Sequence, residues 1–203
     1  MNENLTFESL KHTNDYQEVI NLIYQTDPYI YRDLFGDVNT AASVLRYSFE
    51  NSSGVFYKKY IYIAKETSSI RVVGVALCHP NEFKWDQNSL LADFAEAGVI
   101  PPDSFFAAAS YMNKTYNYRK LGSSICNVSV DPAYRNRGIG TYMIGELLKT
   151  RPHQLMELTV LRDNVPAIKL YQKLGFEIVG DAFLDYGGFN LPDVWCYKMI
   201  SDR

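Results

Sequence analysis

The chain is poor in cysteine, and nothing is arranged around the cysteines it has. Cys78, Cys126 and Cys196 are odd in number and show no C-x-x-C spacing, which suggests neither a disulfide framework nor a zinc site. A reducing, cytoplasmic setting is the expectation, with no metal. No uninterrupted apolar run approaches bilayer-spanning length, and Met1-Asn2-Glu3-Asn4 lacks the basic and apolar pattern of a leader, so no membrane partner is expected. A basic excess is missing too: 20 Lys and Arg stand against 23 Asp and Glu, a net charge of −3 that argues against nucleic acid and suits a cationic partner. There is no internal repeat and no low-complexity linker. Aromatic residues are abundant, with 16 Tyr and 11 Phe, whose first use is core and half-buried strand packing. A chain of 203 residues is long enough for one sizeable domain, and one is expected over 1–203.

In chain order, Leu5 to Leu10 reads as a strand. A helix follows with Tyr16, Val19, Ile20, Ile23 and Tyr24 on one face. Asp27-Pro28 breaks that pattern, and a second helix is expected with its cap near Asn39 and an apolar face of Ala41, Val44, Leu45 and Phe49. The runs 57–65 and 70–77 look like an antiparallel hairpin that His79-Pro80 ends. Residues 81–122 read as a helical insertion, with apolar stripes at Leu90, Leu91 and Phe94 and at Phe105, Ala109 and Met112. A central strand (125–130), a helix, a strand (155–161), a second helix closed by Gly175, and two last strands (176–179 and 194–200) complete the reading. A long loop with Gly187-Gly188 and Pro192 joins the last two strands.

The stretch Arg135-Asn136-Arg137-Gly138-Ile139-Gly140-Thr141 holds this order together. The strand Ile125 to Val130 runs into it through the turn pair Asp131-Pro132, and an amphipathic helix runs out. A helix start offers four backbone N–H groups without intrahelical partners and the positive end of the macrodipole, so it suits a phosphate. Glycines at 138 and 140 allow close approach of an anion, and Arg135, Arg137 and Thr141 add charge and a hydroxyl. On its own the turn fits an ordinary strand-to-helix connection as well. A P-loop is excluded because Gly140 is followed by Thr141-Tyr142 rather than Lys and a hydroxyl residue. A dinucleotide fingerprint is excluded because Met143 stands where a third glycine belongs.

A second motif begins at Asn164. Taken together, Val128-Ser129-Val130-Asp131-Pro132, then Arg135-x-x-Gly138-x-Gly140, then Asn164-x-x-Ala167-x-x-Leu170-Tyr171-x-x-x-Gly175-Phe176 resemble the GNAT superfamily of acyl-CoA-dependent N-acetyltransferases. The close match covers about residues 125–180. The resemblance implies an α/β fold of the α+β kind: a mixed, mostly antiparallel sheet of six or seven strands, splayed after the fourth, with helices on both faces. It implies acetyl-CoA as co-substrate. Its pantetheine arm would lie along Val128, Ser129 and Val130, and its pyrophosphate on Arg135, Asn136, Arg137, Gly138, Ile139, Gly140 and Thr141, with Asn164 touching the arm. Tyr171 matches the family's usual general acid.

The implied reaction is direct attack of a neutral primary amine, on a small molecule or a peptide, at the thioester carbonyl through a tetrahedral intermediate. The family often places a carboxylate base on or just before the central strand, and residues 122–130 contain none. Glu157 on the next strand is the candidate base, with Asp93 and Glu96 behind it, and a water-mediated route is the other solution. The rival reading is a non-catalytic acyl-CoA-binding or sensor domain acting through a protein partner. A homodimer paired through Val194 to Ile200 is left open.

Overall fold

The computed structural model describes residues 4–117, 121–184 and 194–202. Its strands are β1 (Leu5–Ser9), β2 (Ile61–Glu66), β3 (Val72–His79), β4 (Ser123–Val130), β5 (Met156–Leu161), β6 (Glu177–Leu184) and β7 (Val194–Ser201). They form one seven-stranded sheet in the order β1-β2-β3-β4-β5-β7-β6. Neighbouring strands are antiparallel except β4 and β5, which run parallel over only three register pairs, Ser123 to Ile125 against Met156 to Leu158. Beyond Ile125 the two strands part, and this is the expected splay.

The helices are α1 (Tyr16–Tyr24), α2 (Pro28–Phe35), α3 (Val38–Ser48), α4 (Gln87–Glu96), α5 (Phe105–Asn117), α6 (Ile139–Lys149) and α7 (Val165–Lys173). The sequence reading missed α2. Asp27-Pro28 ends one helix and also starts another, because the Asp27 carboxylate accepts from Ile30 N at 3.1 Å and Pro28 occupies the first turn, where its lost N–H costs nothing. The cap of α3 is Asp37 rather than Asn39: its Oδ1 takes the amides of Asn39 and Thr40 at 2.7 and 2.9 Å. Residues 58–60 form a short 3-10 turn, so the first strand of the hairpin starts later than expected. β6 runs on to Leu184, and the expected loop around Gly187 and Pro192 lies outside the described residues.

Apolar residues on opposite faces of the sheet feed two separate cores. Ile61, Ile63, Val75 and Leu77 pack under α1 to α5. Ala64, Val73, Ala76, Ile125 and Val160 pack under α6 and α7. A bulge interrupts this alternation in β4. Val75 pairs with Ser129 but Leu77 already pairs with Cys126, so Asn127 and Val128 together oppose a single residue of β3. Asn127 takes φ +52, and its side-chain amide donates to Thr26 Oγ1 at 2.9 Å and to the Tyr31 hydroxyl. The bulge thus ties the central strand to the junction of α1 and α2.

Candidate active site

The strand, turn and helix order predicted for residues 123–149 places three features around the splay. The first is an unpaired strand edge. Asp131 N donates to Val73 O at 2.9 Å, so this amide faces β3, and amides along a strand alternate in direction. That of Val130 therefore faces the gap that β5 has left, while Ser129, paired with Val75, turns its own amide toward β3. The Val130 carbonyl already has a partner, the Arg135 Nε at 3.1 Å.

The second feature is the start of α6. Gly138 is its N-cap at φ +78 and supplies no side-chain hydrogen bond. The first intrahelical bond runs from Tyr142 N to Gly138 O at 3.0 Å, which leaves the amides of Ile139, Gly140 and Thr141 without helical acceptors. Asn136 is also left-handed, at φ +61, so the chain reverses twice within three residues before the helix begins. The two arginines are exposed and held on the turn itself: Arg137 donates to Ala133 O at 3.0 Å and lies 5.0 Å from the centre of the Tyr134 ring. Asp131 fixes the turn from below, accepting from Ala133 N at 2.9 Å and pairing with Arg71 at 2.9 Å.

The two glycines differ in their reasons. A Cβ on Gly138 would meet nothing within 4 Å, so its requirement is the positive φ. A Cβ on Gly140 would stand 2.9 Å from Leu170 Cδ1, so that glycine lets α6 close onto α7. Ile139 is buried, and only its backbone is available to a ligand.

The third feature is Tyr171 on α7. Its ring is 8% exposed and packs edge-on against Phe176 at 5.8 Å. Among the described residues its hydroxyl has no hydrogen-bond partner. Burial pushes its pKa up to about 12, and the neighbouring Cys126 adds to the rise. Asn164 caps the same helix, accepting from Ala167 N at 3.3 Å, so the structure gives it a capping role and places it at the mouth of α7.

Glu157 is engaged otherwise than as a free base. It is 6% exposed and accepts from Leu121 N at 2.7 Å and from the Ser124 hydroxyl at 3.0 Å, while Lys198 pairs with it at 3.0 Å. Those partners lie on β4 and β7 or just before β4, so the carboxylate, itself on β5, clamps the closed end of the parallel pair. Asp93 is similarly bound, by the Ser48 hydroxyl at 2.6 Å and Asn51 Nδ2 at 2.9 Å, between α3 and α4. Glu96 is exposed at the end of α4.

Two groups at the splay were not nominated from the sequence. Asp27, at the α1–α2 junction beside Thr26, has its pKa raised from 3.8, chiefly by burial and against the pull of the Ile30 and Tyr29 amides. Its charge is felt by Tyr31 on α2 and by Cys196 on β7. His79, at the end of β3, is fully buried with Nδ1 3.4 Å from the Cys126 thiol. The sequence offers no spacing signal for either, because their neighbours are remote in the chain. No cluster of His, Cys, Asp and Glu suited to a metal ion occurs among the described residues. No described helix is long and apolar enough to cross a membrane.

Known proteins share this fold. The solved N-acetyltransferase from Staphylococcus aureus Mu50 superposes with a TM-score of 0.67 over 97% of this chain and 100% of that one, at 19% identity, which is likeness of fold. A chain of the NatC complex bound to Gag peptide and CoA gives 0.57 over 98% and 99% at 17% identity. The L-amino acid N-acetyltransferase AaaT of Escherichia coli K12 is 42% identical over 57 residues, 26% of this chain and 35% of that protein, so the shared stretch spans about a third of the relative. The profile of the acetyltransferase (GNAT) family matches residues 25–176, from the α1–α2 junction through the splayed strands to the end of α7, and the chain belongs to that family.

Proposed function

We propose that this chain is an N-acetyltransferase that moves the acetyl group of acetyl-CoA to a primary amine of a small molecule or peptide. The observation that carries the reading is the meeting, at one splay, of an unpaired strand edge, an uncapped helix start and a buried phenol without a partner. The edge of β4 from Val128 to Val130, which β5 leaves unpaired, suits an extended amide-bearing arm laid along it like an added strand. The Ile139, Gly140 and Thr141 amides, with Arg135 and Arg137 beside them, suit a pyrophosphate. No other group has to be invoked to hold the two ends of one molecule.

Each chemical step then falls to a group of this chain. The acceptor arrives as an ammonium with a pKa of about 10.4 if lysine-like, and must lose a proton before it attacks. Asp27 is our assignment for that task, since burial makes it a stronger base than an exposed aspartate and the Thr26–Asn127 bond brings its loop against the bulge of β4. A backbone amide near Val130 receives the oxyanion. Tyr171 faces the departing thiolate as a hydrogen-bond donor. A phenol at about 12 is a weaker acid than a thiol at about 8.5. Complete transfer is uphill by about 3.5 units, or roughly 5 kcal/mol, so the stabilisation is a hydrogen bond and the thiolate's proton comes ultimately from the amine.

Calorimetric titration with acetyl-CoA tests the first half, using wild type and a variant with both Gly138 and Gly140 replaced by bulkier residues. Binding that the variant loses supports the cradle. Thiol release across a panel of amines, beginning with L-amino acids and short peptides, tests the second half. Binding without release from any amine would leave an acyl-CoA-binding domain, and no binding at millimolar ligand would remove the reading.

A further inference from the structure

Three cysteines sit in very different surroundings. Cys78 and Cys196 are buried, with burial raising each thiol to about 11, so both are inert. Cys126 is half-buried and is the first residue of β4 beyond the parallel register with β5, which places it at the apex of the splay. It also has a base. The His79 Nε2 lies 2.8 Å from the Val55 carbonyl oxygen, which can only accept, so Nε2 carries the ring proton. Nδ1 is then a lone-pair acceptor, and it stands 3.4 Å from Cys126 Sγ. The ring is held in place by stacking on Phe83, at 4.5 Å and 22°, and by the edge of Tyr60 at 5.2 Å. Nucleophile, base and a fixed group that orients the base are the three parts of an activated thiol.

A second observation points to the same place from the opposite face of the sheet. The Tyr171 hydroxyl, on a side chain only 8% exposed, has no partner among the described residues, and Cys126 is near enough to affect its ionisation. A phenol whose hydroxyl no protein group occupies is available to donate to a ligand atom. A cysteine in a strand is ordinarily a small hydrophobe, but this one contacts an oriented imidazole and stands where β4 leaves β5.

We infer that Cys126 is itself an acyl acceptor: with His79 as its base, it takes the acetyl group from the bound thioester when no amine is seated. The inference rests on the acetyl-CoA reading above. His79 Nδ1 takes the thiol proton, and Cys126 Sγ bonds to the carbonyl carbon. The carbon–sulfur bond to CoA breaks, and the CoA thiolate leaves with the proton returned by the imidazolium, Tyr171 donating a hydrogen bond to it. One thioester replaces another, so CoA reverses the step and an arriving amine discharges it to an amide and the free Cys126 thiol. No oxidant or further reactant is needed.

The experiment is acid-quenched peptide mapping of the intact protein after incubation with acetyl-CoA alone, with calorimetric titration of the same samples. One acetyl group on Cys126, discharged by added CoA, is the expected result. Cys126→Ala should bind acetyl-CoA and carry no label. His79→Gln keeps a donor for the Val55 carbonyl but removes the Nδ1 acceptor, and should slow labelling about 100-fold or more. If that variant does not fold, wild type and Cys126→Ala decide alone. Wild type that binds acetyl-CoA without acetylating Cys126, or His79→Gln labelled at the wild-type rate, overturns the inference while leaving the cofactor reading intact. Absence of any calorimetric binding removes both.

Discussion

Tyr171→Phe separates catalysis from stability more cleanly than any other substitution in this fold. The ring stays, with its edge contact to Phe176, and only the hydroxyl goes. The hydroxyl has no hydrogen-bond partner among the described residues and keeps some access to solvent, so its removal breaks no bond within the protein. For a chain of this size each 1 kcal/mol moves the melting temperature by about 2–4 °C, and with no bond lost the variant should melt within a few degrees of wild type. Turnover should fall. Loss of a donor to the leaving sulfur is worth about 100-fold in kcat, with acetyl-CoA affinity nearly unchanged. The pH profile adds a check. A phenol held near 12 keeps its proton throughout the usable range, so wild-type kcat should show no basic fall below about pH 10 attributable to this residue. Scanning calorimetry and initial rates at saturating substrates read both quantities. A melting temperature several degrees lower would mean the hydroxyl has a structural partner, and unchanged kcat would remove Tyr171 from the chemistry.

Other substitutions test the remaining parts. Gly138→Ala should cost about 1–2 kcal/mol of stability, because the added Cβ meets no atom within 4 Å but must adopt φ +78, and it should weaken acetyl-CoA binding measured by calorimetry. Glu157→Gln strips the charge from a mostly buried pair with Lys198 and should destabilise by about 3 kcal/mol in denaturant titrations, while activity per folded molecule survives; loss of activity with full stability would restore Glu157 as a base. Asp27 has a folded pKa above its ordinary 3.8, so its folded state holds the proton more tightly. Its contribution to stability is greatest below that value and falls as pH rises through the raised one. Asp27→Asn should therefore gain stability over wild type toward neutral pH, keep the α2 cap, and lower kcat/KM. Matching kcat/KM values would exclude Asp27 as the base.

What could be read in advance was local. The strand, turn, glycines and helix start around residues 123–149 were legible because they are contiguous, and the unpaired amides at the helix start follow from their order alone. Tyr171 was legible only through its flanking pattern of Asn164, Ala167 and Gly175. The helix α2 stayed hidden because Asp-Pro serves equally as a stop and as a first turn, and nothing short of the cap geometry decides between them. Glu157 was nominated for its strand, yet its hydrogen bonds come from Leu121, Ser124 and Lys198, which no spacing rule connects to it. His79 was legible only as a strand end. Its neighbours Val55 and Cys126 lie 24 and 47 positions away, and the pairing exists only because a bulge at Asn127 shifts the register of β4.

The two cores on opposite faces of the sheet have a consequence for how such a chain diverges. Substitutions beneath α1 to α5 must satisfy Phe35, Phe49, Phe56 and Phe94, and those beneath α6 and α7 must satisfy Met143, Ile144 and Phe176, with the sheet standing between the two sets. Each side can then drift at its own pace. On the acetyl-CoA reading proposed above, the face that carries α6 and α7 is constrained by one unchanging donor, whereas the other can be refashioned for a new amine. Descent would leave its clearest trace on a short stretch, as it has with the Escherichia coli relative, and shape would outlast spelling everywhere else.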